Sequence, residues 1–271
     1  ANLTAGSALS VDGNVNATNA ATLTSTSDLT LNGSSTVSGE NISVNAGQDF
    51  FHNGGTISGE TAVITAARNV QLQGGSIVAT NARVTAGNNM GLASGSIVAD
   101  TIALTATSGA ITETDGYVVN AGTLSVAAGQ GIELSSEANK LKNVVIDDAG
   151  ASVTIVSGND ANVDLNVSTA QGKTVNGSIN VTNVADGSVL NKIVVDKALQ
   201  ASGDITLVNN ESDINVNANA IVSAANIMLQ ANGNTINFNG GSLNATATNG
   251  KLEANGNNIK ITGSGIDAAT V

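Results

Sequence analysis

The chain has 271 residues and a formal net charge of −12; 41% of it is hydrophobic, yet only 1% is aromatic. With one His and no Cys, Pro or Trp, zinc centres and nucleophilic triads have almost no material, and disulfides cannot report a compartment. The nine basic residues form no stripe, which argues against nucleic acid, and no run approaches the roughly 18 apolar residues of a spanning helix, which argues against membrane insertion.

The opening ANLTAGSALSV has neither a charged start nor an apolar leader, so the expectation is a soluble piece of a longer protein. From residue 21 the chain repeats itself. TAVITAARNVQLQGGSIVAT (61–80) lies over NARVTAGNNMGLASGSIVAD (81–100) without a gap, so that Ile64 falls on Val84 and Leu104, Val70 on Met90, and Leu72 on Leu92. Ile77 falls on Ile97 and then Tyr117. Upstream, 41–60 joins the series through Phe50 and Ile57, and 21–40 through Leu29, Leu31 and Val37. Within a unit, apolar residues alternate over short runs (Ala62, Ile64, Ala66; Val70, Leu72; Ile77, Ala79), which predicts strands with one buried face. Turn formers separate the runs, as at Ala67-Arg68-Asn69 and Gln73-Gly74-Gly75. Branched side chains favour strands over helices. Three short strands and three turns per repeat make one coil of a parallel β-helix, with like residues stacked from coil to coil.

The stretch 157–192 keeps the alternation but loses the spacing. It reads as an enlarged coil or an excursion from the helix, with TVNGSINV (174–181) as a hairpin around an Asn-Gly turn. Further on, LQANGNTINFNGGSL (229–243) lies over LEANGNNIKITGSGI (252–266) at an offset of 23, and Ile214/Val216 precede Ile236/Phe238 by 22. The abundant Asn there suits corners and inter-coil ladders. The expected organisation is one all-β parallel β-helix over 1–271. Regular 20-residue coils fill 1–140, irregular coils with an extra-helical hairpin fill 141–200, and Asn-rich coils of 22–23 residues fill 201–271.

SGAITETDGYVVNAGTLSVAAGQGIEL (108–134) and IELSSEANKLKNVVIDDAGASVTIV (132–156) resemble the repeats of filamentous-haemagglutinin-like exoproteins, the large adhesins exported by two-partner secretion in Gram-negative bacteria. The resemblance covers essentially the whole chain. It implies a right-handed single-stranded β-helix, an outer-membrane secretion partner, and adhesive or spacer duty in virulence. It also implies residence outside the cell, secreted or on the exterior of the outer membrane, facing a host-cell receptor or glycan. The family's secretion domain carries Asn-Pro motifs and this chain has no proline, so the resemblance is to an internal repeat region and carries over no recognition residue.

Parallel β-helices also carry pectin-degrading enzymes, so catalytic residues deserve a search. Asp147-Asp148 is the only adjacent carboxylate pair; following Val144–Ile146, it reads as a solvated corner, far from aromatic platforms for sugar. His52 falls on the inward Leu72 position, beside Phe50 and Phe51; a one-residue bulge turning Phe51 inward and His52 outward is the expectation. SGNDAN (157–162) offers oxygen ligands for calcium, but the calcium-binding nonapeptide of other β-helices does not recur. Thr65, Thr85 and Thr105 stack, too short an array for an ice-binding face, with Asn45 below and Ser125 the nearest candidate above. The reading is a non-catalytic structural or adhesive segment of a surface adhesin, with no catalytic residue, metal or cofactor expected. The alternatives are a polysaccharide lyase or hydrolase on a β-helix scaffold, or a mechanical spacer of a larger exoprotein toxin.

Overall fold

Alternation at period two becomes strands with one buried face. Along Ala20–Ser25 and Asn41–Ala46 every second residue is buried, and the residues between face outward. The computed structural model describes all residues except 115, 161, 185–190, 211, 264, 270 and 271. It is all-β, with no helix among the described residues, and its strands pair in parallel ladders as a β-solenoid. The chain divides into two compact units, Ala1–Gly129 and Gln130–Val271.

In the first unit the inward ladders follow the repeat. Val37, Ile57, Ile77 and Ile97 stack in register, as do Val44, Ile64, Val84 and Leu104, and all are fully buried. Phe50–Ala66 and Val70–Ala86 run on through their corners as continuous 17-residue strands. At one corner, Gly55, Gly75 and Gly95 have φ of 80°, 72° and 105°. A Cβ on Gly75 would lie 2.3 Å from the Gly55 carbonyl oxygen, so this corner packs backbone on backbone and admits only glycine.

A second corner is held by side chains that serve the coil above. Asp28 Oδ1 accepts the amide of Asp49, Asp49 Oδ1 that of Asn69, Asn69 Oδ1 that of Asn89, and Asn89 Oδ1 that of Ala110, at 2.9–3.1 Å. Each acceptor stands just before a strand, where its short side chain satisfies a backbone donor that the ladder leaves over. The second unit builds the same device from Ser152, Ser178, Asp204 and Asn226, ending on the Lys251 amide.

The structure corrects the register in three places. Tyr117 pairs with Gly95, while Ile97 pairs with Val119, because this coil is two residues longer than the one before. In the last coil, Ile236 pairs with Ile259 and Leu243 with Ile266 at the expected offset of 23, but Leu229 pairs with Ala254, an offset of 25. Most consequential is the enlarged region. Residues 161 and 185–190 of the stretch 157–192 lie outside the described residues. The rest stays in the solenoid: Ile179–Asn183 pairs in parallel with Val153–Ser157 on one side and Ile205–Asn209 on the other, each 26 residues away. Val175 bridges Ala201, also in parallel. Asn176-Gly177 is therefore a corner, not a hairpin turn: the Gly177 backbone abuts Ser152, with 2.6 Å between a would-be Cβ and the Ser152 nitrogen.

Candidate binding surface

The enlarged coils carry an exposed turn at residues 171–174. Strand Leu165–Thr169 pairs with Asn143–Ile146 and Leu165–Asn166 with Ile193–Val194, which holds it in the wall of the second unit. Beyond it the Lys173 amide donates to the Ala170 carbonyl at 3.0 Å, and Gly172 takes a φ of 72°, closing a tight turn. The chain returns to the wall at Val175, which is 1% exposed. Between them Gln171, Gly172, Lys173 and Thr174 are all exposed.

The turn meets polar partners. Lys173 Nζ lies 3.2 Å from Asp148 Oδ2, and Thr174 Oγ1 lies 3.5 Å from Gln200 Oε1. Asp147 and Asp148 belong to strand Lys140–Ala149, so the expected corner after Ile146 is in fact the continuation of a strand. Lys173 reaches Asp148 because the coil stacks the two residues, 25 positions apart in sequence. The Lys173–Asp148 pair stands in solvent and holds little energy; the patch offers hydrogen-bond donors and acceptors on a fixed frame.

Two concavities lie in the last coils. One, of about 440 Å³, is lined by Asp204, Thr206, Asn226, Met228, Lys251 and Glu253. Lys251 Nζ is 2.5 Å from Glu253 Oε2, and Asn255 donates to Glu253 Oε1. The hydrogen bond from Lys251, then that from Asn255, holds the Glu253 carboxyl below its ordinary range, which suits a fixed charge and not a proton donor. The other, of about 320 Å³, is apolar and lined by Phe238, Leu252, Ile259, Ile261 and Ile266.

His52 points inward, against the expected bulge. It pairs with Leu72 and is 1% exposed, whereas Phe51 pairs with Gln71 on the outer side; the register shifts only after His52. Alternation across three consecutive residues leaves the ring no outward option. Burial pushes the imidazole down to about 4, partly offset by a hydrogen bond to the Gly54 backbone. At 157–162, Lys140 takes the position a cation would want: its Nζ donates to the Gly158 carbonyl and lies 3.0 Å from Asp160 Oδ1. Residue 161 lies outside the described residues. Asn159 spends its amide on the Leu141 backbone instead, donating to its carbonyl at 2.6 Å and accepting its amide at 2.7 Å. No group of three or more His, Cys, Asp or Glu that could hold a metal ion occurs among the described residues. Thr105, above Thr65 and Thr85, pairs with Ala127, not with Ser125.

Sequence reasoning missed a buried ionisable pair. Glu113 stacks on Leu92 in an inward column and is 4% exposed; Tyr117, four residues on, is 1% exposed. Burial first, and the neighbouring Glu113 second, hold the Tyr117 phenol well above its ordinary range. The signal was the Leu72–Leu92 spacing, which reaches Glu113 only when one residue is added.

Among the described residues no helix is long and apolar enough to cross a membrane. Comparison with protein-family models, with curated proteins and with solved structures gave no match.

Proposed function

We propose that the chain is a non-catalytic structural and adhesive segment of a secreted bacterial surface adhesin, similar to the repeat regions of two-partner-secretion exoproteins. In this reading an outer-membrane partner exports the parent protein. The coils are the scaffold, and the exposed turn Gln171–Thr174 with Asp148 is the recognition patch for a host-cell receptor or glycan. The observation that supports it is local. The turn presents four consecutive exposed residues on a rigid coil, and its Lys173 sets a cation beside Asp148 on a chain of net charge −12. The test replaces Gln171–Thr174 with a Gly/Ser turn of equal length and measures binding to host cells and to a glycan array. Loss of binding with unchanged circular dichroism supports adhesion through the turn. Unchanged binding removes the turn from recognition, and no binding by either protein favours the spacer.

The groove of Asp204, Lys251 and Glu253 favours the second reading, a polysaccharide lyase or hydrolase, since it combines carboxylates with a cation. Release of products from acidic glycans, abolished by Lys251→Ala, would establish it. The commitment of Lys251 to Glu253 makes it the weaker reading.

A further inference from the structure

His52 stands in an inward column, with Leu31 below it, Leu72 and Leu92 above, and Glu113 above those. Its ring stacks on Phe50, with centroids 6.2 Å apart and planes at 22°. Among the described residues Nε2 has no hydrogen-bond partner. Among the described residues no charged or titratable side chain faces the ring from the strands packed directly on it; Glu113 of the same column lies three coils above. Leu29–Leu31 turns Leu29 and Leu31 inward, Val70–Ala86 turns Val70 and Leu72, and the ring's own strand turns Phe50, Ile57 and Ile64. Glu60 and Arg83 on those strands are exposed, and Asp49 and Arg68 pair with each other at the preceding corner. An imidazolium needs acceptors or water at both nitrogens, and this column supplies neither at Nε2.

Directly after the ring the ladder is irregular. The register with the next coil shifts between His52 and Asn53, and again between Asn53 and Thr56. Asn53 is exposed, and Gly55 holds a φ of 80°. The charge-intolerant group thus adjoins a bulge in its strand's register with the next coil.

We propose that His52 and the irregular corner at 53–56 form an acid-operated hinge in the first unit: protonation of the imidazole carries the ring and corner out to water and uncovers Leu31 and Leu72 on either side of it. The sign follows from linkage. The open form takes up a proton near pH 6.5, and the closed form only near 4. The advantage of the closed form is complete above 6.5 and is lost as pH falls from 6.5 to 4; the open-to-closed ratio rises about a hundredfold across that window.

His52 is the sole histidine, so its ring resonances report the site directly. The experiment follows them by NMR from neutral to acid pH and measures amide exchange, corrected for its intrinsic pH dependence, in the wild type, His52→Leu and His52→Gln. The expected result is a ring midpoint near 4 and about a hundredfold faster exchange around residues 50–57 and 70–77 of the wild type at the acid end. Both variants should lack this response; Gln keeps a polar group without a charge, so the comparison survives if Leu perturbs packing. A ring midpoint near 6.5, the same acid response in wild type and variants, or acceleration spread evenly over the coils would overturn the hinge.

Discussion

Asn69 rides on Asp49: its backbone amide and its side-chain amide both donate to Asp49 Oδ1 at 2.9 Å, while Arg68 takes Asp49 Oδ2 at 2.6 Å. The ladder bond, not the ion pair, should dominate, because the Arg68 side chain is 53% exposed. Asp49→Ala is expected to cost about 1–2 kcal/mol, Asp49→Asn less, and Arg68→Ala below about 1 kcal/mol. Urea denaturation measures all three; equal losses for Asp49→Ala and Arg68→Ala would assign the stability to the ion pair.

The aliphatic ladder makes position decisive. Ile77 is fully buried between Ile57 and Ile97, whereas Gln73 is exposed at a corner. Ile77→Asp forfeits roughly 1.5–3 kcal/mol of burial and adds a carboxylate without a partner, so it should prevent folding of the coils around it or destabilise them severely. Gln73→Asp should stay within about 0.5 kcal/mol of the wild type. Similar denaturation midpoints would refute the inward placement of Ile77.

Tyr117 is the only tyrosine, and burial holds its phenol above the ordinary 10.0. Above pH 10 the unfolded chain loses this proton while the folded chain retains it, so the stability it contributes is complete below 10 and is lost as pH rises beyond. Phenolate absorbance should appear only together with loss of the β-type circular dichroism, and Tyr117→Phe should resist alkali better. Phenolate forming in a folded protein near pH 10 would show that the ring is accessible.

The exposed turn should be removable and its neighbour should not. Replacing Gln171–Thr174 is expected to change stability by no more than about 0.5 kcal/mol, since these side chains bury nothing. A deletion through Gly177 also removes Val175, 1% exposed and bridged to Ala201, and should cost about 2 kcal/mol or more. Thermal melts of the two variants separate the cases.

The repeating coils were legible because Ile57, Ile77 and Ile97 are spaced without a gap, and inward positions need only that spacing. Tyr117 was misplaced because a coil can lengthen at its corner without changing the alternation that identifies its strands. Asn176-Gly177 misled for a related reason. A dipeptide that accepts left-handed backbone serves a hairpin and a solenoid corner equally, and only the partner strand, 26 residues away, distinguishes them. His52 was expected outside through a one-residue bulge, but the strand keeps its register through Phe50, Phe51 and His52 and shifts only afterwards. The exposed turn at Gln171–Thr174 carries the proposed recognition patch. The sequence marked it by lost spacing, while Lys173's approach to Asp148 depended on coil stacking no local motif records.

The corner acceptors have a genetic consequence. Asp28, Asp49, Asn69 and Asn89 each bond the next coil's amide, so a lesion at one is felt roughly one coil downstream in the sequence. Second-site suppressors should therefore map at intervals of 20 or 21 residues, not beside the original lesion. A duplication or loss of one whole coil would carry its acceptor and its donor together and leave the same pairing at the new junction. Heredity in such a chain acts on coils as units, which gives change in length a gentler path than change in any single corner.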